Sequence, residues 1–389
     1  MESTLRRTWS EIDLDALKHN YNVLKDRVGK NVKFLGVVKA DAYGHGSIMT
    51  AKTLEEAGAD YLAVSSIDEA MELRLNGIQM PILILGHTPR EQVERLIEYD
   101  ITQAVTCKAK AVEYSEEAVR INKKLRIHIK VDTGMSRLGY ICEGDYFDNG
   151  VKGICEALNM QGLEAEGIFT HFAVSDEFGP ENDEYTMHQF KLFTDVCNEV
   201  ERLSGRKFAI KHCANTGAVA RFPETYLDMV RPGLLLYGYG EFAKELGLKP
   251  VMTLKTTVST IKIYPKGTKI SYGGIYTTDK TERIAVVPYG YADGFFRALS
   301  NKCSLMTIDG PAKVRGKICM DMCMIDVTDM PNVEVGSEIE IFGNGNSINE
   351  MAALAQTIPY ELTCAVSKRV PRKYIKDAKI IEQELMLRM

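Results

Sequence analysis

The stretch Lys33-Phe34-Leu35-Gly36-Val37-Val38-Lys39-Ala40-Asp41-Ala42-Tyr43-Gly44-His45-Gly46 decides how the rest of the chain is read. Residues 33–38 form a short apolar run of the kind that fills a buried strand, and the glycines behind it mark a turn. Lys39 stands where strand gives way to turn. A lysine at the end of a buried strand is poorly placed for solubility alone. Partial desolvation there disfavours the ammonium and makes the neutral, nucleophilic amine accessible. That is the state needed to hold a carbonyl compound as a Schiff base. A lysine snorkelling out of a strand end is the plainer alternative, and position alone does not separate the two.

The same pattern repeats downstream. Apolar, β-rich runs recur at 61–65, 81–85, 101–105, 125–131, 165–170, 207–212 and 233–236, with amphipathic stretches between most of them. The clearest such stretch is Glu184 to Leu203, which places Phe190, Phe193, Cys197, Val200 and Leu203 on one stripe. With 33–38 this makes eight strands alternating with helices, which predicts an α/β chain with a (β/α)8 TIM-type barrel. Such barrels place their chemistry at the C-terminal ends of the strands, and Lys39, Lys130, His171, Asn215 and Arg231 fall at or just after those ends. An open, doubly wound sheet is the competing fold, but no GxGxxG follows the first strand. After about residue 242 the texture changes. Alternating runs rich in Val, Thr and Ile occur at 252–264, 283–288, 303–308, 312–318, 322–327 and 337–342, separated by Gly, Pro and Asn-Gly signals. The expected organisation is a barrel domain over 1–242 and a mostly β C-terminal domain over 243–389.

Composition narrows the class. The 389 residues carry a net charge of −5 with no basic stripe, which argues against a nucleic-acid partner. No apolar stretch approaches the length of a membrane span, and the N-terminal arginines lead into no apolar core of a secretory signal. Nine cysteines, an odd number without CxxC pairs, read as reduced thiols in a cytoplasmic protein. Cys319 and Cys323 lie four apart with no histidine placed to complete a metal site, so no metal is expected.

Residues 38–46, Val-Lys-Ala-Asp-Ala-Tyr-Gly-His-Gly, resemble the pyridoxal-phosphate attachment motif of alanine racemases, enzymes of fold type III. Further segments agree in order: Lys130-Val131-Asp132-Thr133-Gly134-Met135-Ser136-Arg137-Leu138-Gly139, Thr170-His171-Phe172-Ala173, Val230-Arg231-Pro232-Gly233, Ser271-Tyr272-Gly273, Gly290-Tyr291-Ala292-Asp293-Gly294 and Ile318-Cys319-Met320-Asp321. The resemblance covers essentially the whole chain. It implies that Lys39 carries pyridoxal 5'-phosphate as a Schiff base and acts as the base on one face of the substrate, that of the D-enantiomer. Tyr272, supplied by the partner subunit of a homodimer, is implied as the base on the other face. Nearby positive charge is expected to bring that phenol below its ordinary range near 10. Arg231 resembles the arginine that meets the cofactor's pyridine nitrogen. A guanidinium keeps its proton, so the ring would be a weak electron sink. His171 is expected to support Arg231. Thr216, Gly233, Leu234, Tyr43 and Tyr360 match the phosphate contacts, near the usual barrel anion site at strands seven and eight. Arg137 resembles the residue that contacts the cofactor's phenolic oxygen and the substrate carboxylate. Lys130 matches a lysine that is carbamylated in many members. Met320 is implied to offer its backbone N–H to the substrate carboxylate, and Tyr291 and Asp321 to shape an access corridor.

The activity so implied is interconversion of L- and D-alanine, supplying D-alanine for peptidoglycan. A bulky phenol at Tyr360 favours alanine over larger side chains, yet one small group separates substrates by only ~1–3 kcal/mol, so a serine or broad-specificity racemase is the nearest alternative. A fold-related amino-acid decarboxylase would need a stronger electron sink than Arg231 allows. A non-enzymatic pyridoxal-phosphate carrier would have no use for a second domain.

Overall fold

The computed structural model describes residues 7–384. Contacts divide them into two units. One holds Asn20 and the described residues before it, Tyr43–Gly46 and the described residues from Tyr237 onward; the other holds Tyr21–Ala42 and Ser47–Leu236.

The second of these is built on eight parallel strands: β1 (Lys33–Val37), β2 (Tyr61–Val64), β3 (Ile82–Ile84), β4 (Ile101–Val105), β5 (Leu125–Asp132), β6 (Leu163–Phe169), β7 (Ile210–His212) and β8 (Met229–Val230). Each pairs with the next from β1 to β7. β8 pairs with β1, with Met229 opposite Lys33 and Val230 opposite Phe34. The ring is nearly closed. Between β7 and β8 single bonds replace a ladder: Asp228 N–H donates to Lys211 O at 3.1 Å and Arg231 N–H to Ala214 O at 2.9 Å. Helices cover the outer side, so β2, β3 and β4 are buried at every position, which is why their sequences are runs rather than alternations. This is the (β/α)8 barrel that the sequence predicts.

The helix Pro180–Ser204 shows how sequence fixes the outer ring. Proline opens its first turn and Gly205, at φ +67°, ends it in the left-handed conformation. It buries Phe193, Val196, Cys197 and Val200. Leu203, expected on the same stripe, is exposed.

The run 233–236 is not the eighth strand. Leu234–Tyr237 is a 3-10 turn, and the strand lies earlier, at Met229–Val230. Pro232 has no N–H to give a ladder, and Leu236 N–H closes onto Gly233 O at 2.9 Å. An apolar run of this length carries too little periodicity to separate a buried strand from a buried turn.

The other unit is mostly β. Its larger sheet runs in the order Gly310–Lys313, Ser304–Thr307, Glu338–Phe342, Met252–Thr257, Thr8–Asp13, Arg372–Lys376, Lys379–Glu384. Thr8–Asp13 pairs antiparallel with Met252–Thr257 and parallel with Arg372–Lys376. A smaller sheet joins Thr260–Tyr264, Glu282–Val287 and Cys323–Asp326. Its helices, Ile348–Ala355 and Pro359–Cys364, are short. Among the described residues no helix is long and apolar enough to cross a membrane.

Candidate active site

Where β1 ends, Val38 N–H donates to Ala63 O at 2.9 Å. The chain then makes one helical turn, Lys39–Gly44, of left-handed twist: φ is +52° at Ala40, +55° at Asp41, +51° at Ala42, +53° at Tyr43 and +84° at Gly44. This costs each non-glycine residue about 1–2 kcal/mol, so the surroundings must hold it. The Glu69 carboxylate accepts Ala40 N–H at 2.8 Å and Ser65 N–H at 2.7 Å. Asp41 accepts Ser47 N–H at 2.8 Å. The sequence indicates a turn here but not its hand. The sequence signal for Glu69 is the capping-box spacing of Ser66-Ile67-Asp68-Glu69, and Ser66 does cap the following helix.

The remaining barrel residues singled out in the sequence also lie at strand ends. Arg231 follows β8 and is buried. Its Nη2 donates to Thr170 O at 2.8 Å and Cys213 O at 3.1 Å, and its Nη1 to His212 Nδ1 at 2.9 Å. Burial brings the guanidinium down to about 10, which leaves it charged at neutral pH. His171, just after β6, has its Nδ1 3.4 Å from Arg231 Nη2. Burial, then the charge of Arg231, holds this imidazole well below its ordinary range. His212, the last residue of β7, is the closer support, and no motif in the sequence points to it.

Thr216 opens the helix Thr216–Arg221, and its hydroxyl accepts Gly233 N–H at 2.8 Å. Leu234 begins the 3-10 turn that follows. Lys130 lies near the end of β5 and is buried. Burial, then the charges of Arg137 and Arg231, brings its ammonium down to about 8, with Lys39 a further contributor. Arg137 is exposed, on a loop tied by Asp132, whose carboxylate accepts the N–H groups of Gly134 and Ser136, each at 3.0 Å.

In the other unit, Tyr43 meets Tyr360 edge-on with ring centroids 5.1 Å apart, and Tyr237 at 5.2 Å. Tyr272 and Met320 share a cleft of about 810 Å³ with Tyr291, Arg297, Ile318, Cys319 and Asp321. Tyr272 is 69 % exposed and Met320 is exposed beside it. Ser271, at φ +63°, aims the tyrosine, and its hydroxyl donates to Lys317 O at 2.6 Å. Asp321 is held by Arg369 Nη2 at 2.7 Å, and the same arginine donates through Nε to Asp293 at 2.7 Å.

The barrel therefore gathers four cationic side chains, Lys39, Lys130, Arg137 and Arg231, within electrostatic reach of one another. Lys130 and Arg231 are buried while Lys39 is half-buried and Arg137 exposed, and like charges held together at such a place suit an anionic ligand. An amine that can become nucleophilic, a guanidinium that only donates, and the Thr216 hydroxyl beside a glycine N–H form a donor set that fits an aldehyde bearing a phosphate. Among the described residues no three His, Cys, Asp or Glu side chains converge as a metal site would need.

The chain matches two family models, the alanine racemase N-terminal domain over residues 12–241 and the alanine racemase C-terminal domain over residues 251–374. It is 42 % identical to alanine racemase 2 of Caldanaerobacter subterraneus subsp. tengcongensis, covering 100 % of both chains. It is 44 % identical to alanine racemase 1 of Clostridium acetobutylicum over 97 % of this chain and 98 % of that one. Among solved structures, alanine racemase of Clostridium difficile 630 superposes with a TM-score of 0.93 at 38 % identity, covering 99 % of this chain and 100 % of that one.

Proposed function

This chain belongs to the alanine racemase family, and we propose that it interconverts L- and D-alanine with pyridoxal 5'-phosphate carried on Lys39. The observation that carries the reading is the convergence of Lys39, Lys130, Arg137 and Arg231 at the C-terminal ends of the barrel strands. Bound there, pyridoxal phosphate would supply the electron withdrawal that makes the α-proton of alanine removable.

The chain's own groups divide the remaining tasks. Arg231 would donate to the cofactor's ring nitrogen and keep its own proton, since burial still leaves it charged at neutral pH. Thr216 and the backbone of Gly233 and Leu234, with the phenols of Tyr43 and Tyr360, would hold the phosphate. Arg137 would orient the substrate carboxylate, with Met320 N–H as a second donor. Inversion needs a proton taken from one face of Cα and another delivered to the opposite face. Lys39 Nζ serves the face of the D-enantiomer. The Tyr272 phenol, offered by a second copy of the chain in a homodimer, serves the other. The exposure of Tyr272 and Met320 in a single chain supports that division. D-alanine so formed would feed the peptidoglycan of the cell wall.

Lys130 has a further role in this reading. With its ammonium near 8, a minor neutral fraction of the amine is present at neutral pH and can attack carbon dioxide, forming an N–C bond and losing a proton. The carbamate would be an anion beside Arg137 and would orient it. A plain amine in mass measurements at saturating bicarbonate would remove this step.

The decisive test incubates the purified chain with pyridoxal phosphate and L-alanine in deuterium oxide. D-alanine carrying deuterium at Cα is the expected product, formed faster than D-serine from L-serine. Exchange without inversion would leave only one working base. The absence of both exchange and inversion would overturn the reading.

A further inference from the structure

We propose that Glu166 is a positioning residue, fixing Arg231 from within the barrel through an ordered chain of two neutral imidazoles. The inference rests on the reading above, in which Arg231 faces the cofactor. Arg231 Nη1 lies 2.9 Å from His212 Nδ1, His212 Nε2 lies 2.9 Å from His128 Nδ1, and His128 Nε2 lies 3.2 Å from Glu166 Oε2. The Tyr61 hydroxyl hydrogen-bonds the same carboxylate. Both histidines are fully buried, while the Glu166 side chain is 26 % exposed.

The two ends of this chain dictate its protons. A guanidinium only donates, so His212 Nδ1 must accept and the proton of a neutral His212 sits on Nε2. That N–H donates to His128 Nδ1, which places the His128 proton on Nε2, facing the Glu166 carboxylate. A protonated Glu166 donating inward would leave His212 accepting at both nitrogens, which a neutral imidazole cannot do. An imidazolium at His212 would set N–H against N–H at Arg231. One proton arrangement thus satisfies all three bonds. Burial disfavours the charged form of both rings, in the same sense.

Local structure is shaped to permit the chain. Ile127 pairs with Ala165 and His128 with Gly167, so Glu166 is the extra residue of a bulge in β6. Bulges re-aim side chains, and this one frees the carboxylate from the ladder register. Gly167 leaves room for the ring: a Cβ there would lie 2.6 Å from His128 Cε1. Phe169 stacks on His212 with centroids 4.8 Å apart and ring planes 13° apart, and carries Arg231 above its face at 5.4 Å. Arg126, beside Glu166, is paired with Asp100 at 3.2 Å. If His212 took the other tautomer, its Nδ1–H would turn Arg231 away. The carboxylate therefore selects, across two rings, the orientation of the guanidinium.

The test is nitrogen NMR on the full-length chain with labelled histidine rings, with and without pyridoxal phosphate. At pH 7 both His128 and His212 should carry the proton on Nε2 only. Glu166→Gln retains an acceptor and should keep both tautomers, with cofactor affinity within about threefold of wild type. Glu166→Leu should mix the tautomers, change the absorbance of bound pyridoxal phosphate and weaken its binding roughly 10–100-fold, by analogy with a metal ligand that loses its supporting hydrogen bond. Should that variant not fold, Gly167→Ala crowds His128 directly and should mix the tautomers in the same way. A wild-type ring protonated on Nδ1 overturns the proposal. So do unchanged ring signals in whichever perturbing variant folds, or a glutamine variant as impaired as the leucine one. The ring signals of the cofactor-free chain do not depend on turnover, so they stand or fall separately from the racemase reading.

Discussion

Arg231 and Tyr272 are at opposite extremes of exposure, 4 % against 69 %, although the proposed chemistry needs both. Arg231 is held by the backbone of Thr170 and Cys213 and by His212, so its place is settled inside one chain. Tyr272 is aimed by a strained Ser271 into an open cleft beside Met320. Buried polar groups must be satisfied where they fold, whereas a displayed phenol costs the fold almost nothing. One half of the proposed machinery is therefore bound up with stability, and the other half is separable from it.

The sharpest way to break this contrast is Tyr272→Phe. Removing one hydroxyl should lower alanine racemisation by about 10²–10⁴-fold, the range of a positioned proton-transfer group. Unfolding free energy should stay within about 0.5 kcal/mol of wild type, as for an exposed site. Normal racemisation by this variant would sink the two-base assignment; a large loss of stability would sink the contrast. Arg231→Leu should behave in the opposite way. It strands His212 Nδ1 and two backbone carbonyls without a donor, which should cost roughly 3–4 kcal/mol in chemical denaturation of the cofactor-free chain. A variant as stable as wild type would show that these contacts are incidental.

The contrast also explains what the sequence could disclose. β2, β3 and β4 announce themselves because every position is buried and most are apolar, and β1, β5, β6 and β7 are legible from the apolar residues that remain between their charged ones. The eighth reads as 233–236 because Met229-Val230 is too short to register and Leu234-Leu235-Leu236 is apolar for a different reason, packing as a turn. Thr8–Asp13 is hard to read from sequence because Thr8 and Ser10 are buried polar residues that blur its alternation, and Lys379–Glu384 because it is an exposed edge. Lys39, Arg231 and Tyr272 are legible through motifs that resemble a known family. The left-handed twist after Lys39 is not, since Ala40 and Ala42 have no preference for it and a contact that holds it, from Glu69, comes from a helix 29 residues further along the chain. The His212–His128–Glu166 chain was hidden for a related reason: each member sits singly in its own strand, and only the barrel brings them together.

Lys130 offers a pH test of the buried side. Its folded-state value, brought down from 10.5 to about 8, means that the unfolded chain binds more protons between those limits. Stability should therefore rise as pH increases from 8 toward 10.5, and the penalty is fully present below 8. Lys130→Met in bicarbonate-free buffer should raise stability at pH 7 by up to about 3 kcal/mol, with the gap closing by pH 10.5. A gap that does not change with pH would mean that packing, not charge, is responsible.

The smallest effect concerns specificity. Tyr360 lies edge-on to Tyr43, so its ring is braced and the space beside it is fixed. Tyr360→Asn removes that ring and leaves an amide able to bond a substrate hydroxyl. The ratio of kcat/KM for L-serine to that for L-alanine should rise about tenfold, within the ~1–3 kcal/mol that one small group commands in a pocket. The lost edge contact should lower stability by about 0.5–1.5 kcal/mol at the same time. Because the two readouts are independent, they separate two roles for the phenol. A stability loss with an unchanged substrate ratio would make Tyr360 a brace for Tyr43 and nothing more. A changed ratio would place it beside the substrate's side chain.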